Sequence, residues 1–208
     1  LQTKIILQKI EDVLKRADAL LIGFGGGGTR HLIVNKPVQT MADVKGLPIR
    51  VMGAPIQTRM FNAFGMAPTV IAYAEVYNAI QTGVIDAAEN EAAGIQQMKF
   101  YEVGPNIAMT AHSITVRPLC FSNKTFKRLP ADLQTAIMQA GKDAGTFGRI
   151  LESSEDIKKL MQMQSEGKLK TIYFKERDAL VKAAEPVIKA YFEENNASPV
   201  LQSIMSAQ

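Results

Sequence analysis

An α/β fold is predicted, and three observations predict it. Strand-like and helix-like runs alternate along nearly the whole chain, Gly or Pro punctuates their junctions, and the composition is that of a core-forming globular protein. With 47% hydrophobic and 21% charged residues, the 208-residue chain can bury a core as one larger α/β domain or as two small lobes. Repeated strand–helix units favour a mostly parallel sheet with helices on its faces.

The elements follow in order. Ile6, Ile10, Val13, Leu14 and Ala17 form an apolar stripe of helical period, so Ile5 to Asp18 reads as a helix. Ala19 to Phe24 reads as a buried strand, Gly25 to Gly28 as a loop, and His31 to Val34 as a second short strand ended by Asn35-Lys36-Pro37. Met41 to Leu47 makes a helical turn closed by Gly46, and Pro48 to Met52 a strand. Pro55 to Phe64 is a helix closed by Gly65, Pro68 to Tyr73 a strand, and Tyr73 to Thr82 a helix with Gly83 just beyond it. Val84 to Ala88 is the next strand, Gln96 to Glu102 a helix, and Ile107 to Ser122 an extended stretch. Leu129 to Gly167 has helix propensity throughout, opening on Pro130-Ala131-Asp132, with bends expected at Gly141, Gly145 and Gly148. A short strand at Lys170 to Phe174 and helices from Glu176 to Met205 complete the chain.

Several function classes are disfavoured. The net charge of +4 comes from scattered Lys and Arg, with no Trp and few aromatics to stack on bases, so nucleic acid is not the expected partner. A mild positive field suits a small anion. One cysteine, Cys120, excludes an internal disulfide, and its apolar neighbours Leu119 and Phe121 suggest a buried thiol. Two histidines far apart, His31 and His112, do not space as zinc ligands, and no metal is expected. No serine nucleophile elbow or carboxylate pair specifies a reaction, and no apolar run approaches the ~20 residues that span a bilayer. The ten methionines read as core filler.

Four segments carry candidate chemistry. Glycines after a strand let backbone N–H groups approach an anion. A dinucleotide fingerprint at Gly23 to Arg30 would nevertheless need a helix to start there and an acidic residue about twenty positions on. A strand follows instead, and Arg50 stands at that distance. The segment therefore reads as a hinge or as a loop presenting Arg30. Arg50 lies in an apolar strand and demands a carboxylate partner, whether an internal glutamate or aspartate or a ligand. Asn90 follows the strand ending at Ala88, where ligands bind in open α/β sheets or where the next helix would be capped. Arg117 closes the extended stretch that begins near His112.

Taken together, Gly28-Thr29-Arg30 with Asn35, the block Met41 to Val51, and the block Ala74 to Asn90 resemble the substrate-binding proteins of tripartite ATP-independent periplasmic (TRAP) transporters, the DctP-like family. Lys99-Phe100-Tyr101-Glu102-Val103 and Leu129-Pro130-Ala131-Asp132-Leu133-Gln134 extend the resemblance over nearly the whole chain. It implies a two-lobed periplasmic binding protein fold with a long lobe-spanning helix, the first lobe incomplete. Residues 28–115 plus about 155–208 would form ligand-binding lobe II, and 1–27 plus about 116–154 the remnant of lobe I. It implies a ligand-binding set in which Arg50 clamps a carboxylate, Arg30 and Asn90 orient polar atoms, Tyr73 covers an apolar face and Arg117 lines the pocket. An internal pair between Arg117 and Glu89 or Glu91 is the alternative. Two departures from the family pattern argue against sialic acid: its Gln-Glu-Asn-Pro becomes Ala88-Glu89-Asn90-Glu91, and Arg117 stands where some relatives have a neutral amide.

The function implied is that of a periplasmic, monomeric solute-binding component. It would capture a small organic acid anion, a sugar acid or a 2-hydroxy or 2-keto acid, and deliver it to the TRAP membrane permease subunits. No catalysis, no cofactor and no membrane-spanning segment of its own are expected. The alternative is an α/β enzyme that binds a phosphate ligand on the glycine-rich loop.

Overall fold

The computed structural model describes residues 4–206. Two compact units are formed, one from Leu1–Gly27, Val116–Ser153 and Phe192–Gln208, the other from Gly28–Thr115 and Ser154–Tyr191. In chain order the elements are α1 (Lys4–Arg16), β1 (Ala19–Val34), α2 (Met41–Val44), β2 (Pro48–Val51), α3 (Pro55–Ala63) and β3 (Ala67–Val70). A 3₁₀ turn (Tyr73–Glu75) leads into α4 (Val76–Gln81), followed by β4 (Ala87–Asn90) and α5 (Ala92–Gln97). A second 3₁₀ turn (Phe100–Glu102) precedes β5 (Asn106–Ser122), α6 (Asn123–Phe126), α7 (Ala131–Ser165), β6 (Lys170–Tyr173), α8 (Arg177–Glu194) and α9 (Ser198–Met205).

The larger unit is a three-layer α/β body. Its sheet runs in the order β3-β2-β4-β1-β5-β6. The β2–β3, β2–β4 and β5–β6 pairs are parallel, whereas β1 runs antiparallel to β4 with His31 opposite Asn90. The sheet is therefore mixed. Pro68 is tolerated because β3 is an edge strand, where a missing donor costs no ladder bond.

Alternation along each strand feeds two separate cores. Leu32, Val34, Ile49, Val51, Ala87 and Ala108 join Phe61, Phe64, Leu180 and Ala184 on one face. Ile33, Ala88 and Ile107 join Val76, Ile80, Ile95, Phe100, Leu160 and Met163 on the other. Helices α3 and α8 thus cover one face, and α4, α5 and the end of α7 cover the other. Both faces are buried at the central strands β2 and β4, whereas the edge strands β3 and β6 are largely exposed.

In the smaller unit, the first half of β1 lies directly against α7. A Cβ on Gly141 would stand 2.6 Å from the Ile22 carbonyl oxygen, and one on Gly145 2.6 Å from that of Phe24. Those glycines are contact points. The α7 helix runs unbroken for 35 residues, so the bends expected at Gly141, Gly145 and Gly148 do not interrupt it. Asn123, which opens α6, binds Asp18 through both its backbone N–H and its carboxamide, each at 3.0 Å.

Three local expectations are corrected. Gly25 to Gly28 lie within a single 16-residue strand, not in a loop between two strands. Gly26 and Gly27 hold φ values of 102° and 127°, open to glycine at no steric cost. A side chain on Gly27 would meet Ser153 and one on Gly28 would meet Glu91, so sheet-like backbone persists where composition suggested a loop. Strand β4 continues through Asn90 rather than ending at Ala88. Cys120 is exposed: strand alternation turns it away from the half-buried Leu119 and Phe121. Among the described residues, no helix is long and apolar enough to cross a membrane.

Candidate functional site

One end of the larger unit's sheet collects the charged residues. Strands β2 and β4 run parallel, so Arg50 and Asn90 both fall near their carboxyl ends. Strand β1 runs the other way, and its His31–Asn90 pairing brings the preceding Arg30 to the same end. Arg30, Arg50, Glu89, Asn90 and Glu91 are all buried there.

Arg30 is wholly committed to the protein. Its Nε donates to Glu89 Oε2 at 2.5 Å, and its Nη2 to Glu89 Oε1 at 2.8 Å and to the Glu89 carbonyl at 3.0 Å. Its Nη1 donates to Glu91 Oε2 and, at 3.5 Å, to Thr115 Oγ1. The planar fork thus makes a bidentate pair with Glu89 and a further pair with Glu91, leaving no N–H uncommitted. In this structure the donors of Arg30 point at Glu89 and Glu91. Burial works against the Arg30 charge, but the hydrogen bond and charge of Glu89, then the charge of Glu91, outweigh it and raise its pKa.

Glu89 is the hub of this cluster. His112 Nε2 lies 3.3 Å from its Oε2, and Thr110 Oγ1 lies 2.8 Å from His112 Nδ1. Burial alone would raise the Glu89 carboxyl. The hydrogen bonds from His112 and Arg30, together with their charges, hold it instead at about 2. His31 is pushed down to about 4 by burial and by the charge of His112. Its Nδ1 accepts the Ala111 N–H at 3.1 Å, which suits a neutral ring protonated on Nε2.

Arg50 behaves differently. Its Nε donates to the Ile71 carbonyl at 2.9 Å, and its guanidinium carbon lies 5.6 Å from the Tyr73 ring centroid, a cation–π distance. Among the described residues its terminal nitrogens meet no protein acceptor. Among the described residues Gln57 Oε1 is the fully buried side-chain atom left without a partner, so the Arg50 terminal nitrogens, in a residue 5% exposed, keep some access to solvent. Burial lowers the Arg50 pKa, partly offset by the charge of Glu89, and the group remains a cation. It is held by one edge, with the other edge open.

Tyr73 and Asn90 frame that open edge. Asn90 Nδ2 donates to the Tyr73 hydroxyl at 2.9 Å, and Tyr73 stacks edge-on against Phe100 at 5.8 Å. Burial raises the Tyr73 pKa, which keeps the phenol neutral. Asn90 Oδ1 accepts the Glu91 N–H at 3.0 Å, so the carboxamide is fixed at both its oxygen and its nitrogen. Gly94 leaves room for it, since a Cβ there would sit 2.6 Å from Asn90 Cγ. Asp156 on α7 accepts from the Thr29 N–H at 2.8 Å and from the Ala92 N–H at 3.0 Å, tying β1 to the start of α5.

Of the five residues singled out in the sequence, the larger unit brings four together: Arg30, Arg50, Tyr73 and Asn90. Arg117 belongs to the smaller unit, where its Nη1 donates to Glu152 Oε2 at 2.5 Å. Sequence reasoning named Glu89 and Glu91 as possible partners of Arg117 rather than of Arg30, and missed His112, Thr115, Gly94 and Asp156 as parts of the cluster. The glutamate at 91, where the related pattern has proline, was the one available signal. Asp156 gave none, because its partners lie far away in the chain. Among the described residues no group of three or more His, Cys, Asp or Glu is placed to hold a metal.

Comparison with known proteins adds four findings. Residues 1–195 match the model of the bacterial extracellular solute-binding protein family 7, DctP. A solute-binding protein of Sulfitobacter sp. (strain NAS-14.1) is 52% identical over 200 residues, covering 96% of this chain and 61% of the relative. Among solved structures, a TRAP periplasmic solute-binding protein from Sulfitobacter sp. NAS-14.1 with bound α-D-taluronate superposes with a TM-score of 0.94. It is 51% identical and covers 98% of this chain and 66% of its own. A TRAP periplasmic solute-binding protein from Chromohalobacter salexigens with bound D-glucuronate gives a TM-score of 0.91 at 27% identity, covering 99% and 68%. The chain thus spans about two thirds of the length of the relatives it matches.

Proposed function

The chain belongs to the bacterial extracellular solute-binding proteins of family 7, the DctP family, and from that premise we propose that it captures a sugar acid, a hexuronate above all, for a TRAP transporter. The observation that carries this reading is the open edge of Arg50, a buried guanidinium fastened to Ile71 on one side only. A planar fork with two free donors in a partly desolvated pocket is a receptor for one carboxylate. The Tyr73 ring, 42% exposed, offers an apolar face beside it for the C–H side of a sugar. Asn90 offers an amide hydrogen beyond the one given to Tyr73. Arg30 supports the site indirectly, holding Glu89 and Glu91 at the end of β4.

The ligands seen in the two similar solved structures, a taluronate and a glucuronate, support the choice of sugar acids. Periplasmic location and delivery to membrane permease subunits follow from the family and form part of the proposal. Thr110, the hydroxyl hydrogen-bonded to His112, is fully buried and out of reach of a ligand, and the role proposed for the cluster is binding. A thermal-shift screen of organic acids on the full-length protein tests the reading: hexuronates raise Tm with ligand concentration as mass action requires, without turnover. Stabilisation by phosphate esters and none by hexuronates would favour the glycine-segment phosphate site instead.

A further inference from the structure

Within the cluster, Arg30 and Arg50 are balanced by Glu89 and Glu91. Glu89 is the structural partner of Arg30, held by a bidentate pair and by His112. Glu91 needs a separate explanation. It is buried, its carboxylate takes the outer Nη1 of Arg30, and Thr115 Oγ1 donates to the same oxygen at 3.1 Å. A carboxylate held in this way occupies the place where an acid ligand would meet Arg30. Glu91 is joined to that edge by geometry: its N–H donates to Asn90 Oδ1 at 3.0 Å, and Asn90 Nδ2 donates at 2.9 Å to the hydroxyl of Tyr73, which frames the open edge of Arg50.

We infer that Glu91 is a specificity-determining residue, a built-in carboxylate that occupies Arg30 and limits the pocket to ligands with a single carboxylate. This rests on the reading of Arg50 as the carboxylate clamp. One acid group pairs with the open edge of Arg50. A second, carried by a dicarboxylate, would find the neighbouring arginine already neutralised and would approach a buried glutamate of like charge, which disfavours the wrong ligand strongly. Uronates and aldonates therefore fit, and aldarates and short dicarboxylates do not. Where the related pattern has proline at this position, neither the carboxylate nor the N–H that engages Asn90 Oδ1 would be present.

The substitution is compatible with the backbone. Glu91 has φ −80° and ψ 163°, within the range proline accepts, and the preceding Asn90 is extended as a pre-proline residue requires. Glu91→Gln keeps the shape and removes only the charge. The test is calorimetry on the full-length protein with D-glucuronate and D-glucarate, six-carbon acids of one configuration in which the C1 hemiacetal carbon of the first is a second carboxylate on the open chain of the other. Wild type is expected to prefer glucuronate. Glu91→Gln and Glu91→Pro should each shift the ratio of dissociation constants at least tenfold toward glucarate, the worth of one charge-assisted pair. An unchanged ratio overturns the proposal, whether both acids weaken together or neither does, because a merely structural glutamate cannot tell them apart. Arg50→Ala serves as the separate control and should lose both acids. If it keeps glucuronate affinity, the clamp reading fails, and with it the charge count on which Glu91 was assigned its role.

Discussion

Removing the charge of Glu89 by Glu89→Gln should cost about 3 kcal/mol, and two routes reach that figure. Holding the carboxyl at about 2 instead of its ordinary 4.5 corresponds to about 3 kcal/mol, at about 1.4 kcal/mol for each tenfold change in proton affinity. Independently, breaking a buried ion pair by deleting one partner costs about 3–5 kcal/mol. In the variant, a carboxamide NH₂ must face either Nε or Nη2 of Arg30, so one of two parallel bonds becomes a donor–donor clash. For a chain of this length the expected loss in Tm is about 6–12 °C. The pH dependence has a definite sign. The folded pKa lies below the unfolded one, so the stabilisation is complete above pH 4.5 and is lost as pH falls toward 2. Urea unfolding of wild type and variant should show a gap that is constant near neutral pH and narrows below pH 4.5. A Tm within about 1 °C of wild type, or a gap that stays the same at about pH 3, would refute the reasoning.

Three other expectations follow from single contacts. His31 should titrate near 4 by NMR, with stability falling between pH 6.5 and 4 because the unfolded ring takes its proton first; a pKa of 6.5 would contradict its buried, neutral assignment. Gly94→Ala should press on the Asn90 carboxamide and displace the Tyr73 hydroxyl, lowering hexuronate affinity at least tenfold with an overpacking cost of about 1–3 kcal/mol. Unaltered affinity would show that Asn90 does not need that recess. Arg117→Gln removes the exposed pair with Glu152, itself worth about 0–1 kcal/mol, and calorimetry with two classes of acid reads the role of the arginine. A selective loss for hydroxylated acids over plain monocarboxylates would mark Arg117 as reading the ligand, and equal loss would mark it as structural.

The long helix and most element types were legible because they depend on local pattern. Helix α7 was readable from continuous propensity, and β2 from its Pro and Gly boundaries. The glycine run was misread because the preference of glycine for loops is a backbone argument. Gly25 to Gly28 lie in a strand in which Gly27 and Gly28 leave room for Ser153 and Glu91, contacts that bridge distant parts of the chain. Cys120 was misjudged for a related reason, since apolar neighbours in sequence lie on the opposite face of a strand. At the site, Arg50 and Asn90 could be found from strand ends and resemblance, and Arg30 could be found too. The carboxylates that Arg30 meets could not, because they depend on the β1–β4 register. His31 opposite Asn90 sets Arg30 beside Glu89 and Glu91, a pairing that no spacing along the sequence encodes.

The central claim is that the open edge of Arg50 receives the carboxylate of a sugar acid. Calorimetric titration of D-glucuronate into wild type, Arg50→Lys and Arg50→Ala tests it most directly. Two charge-assisted hydrogen bonds at about 1.5–3 kcal/mol each predict at least a hundredfold weaker binding for Arg50→Ala. Arg50→Lys should recover little, because a point charge cannot make the paired bonds. An Arg50→Ala protein that melts like wild type and still binds glucuronate with wild-type affinity would contradict the account.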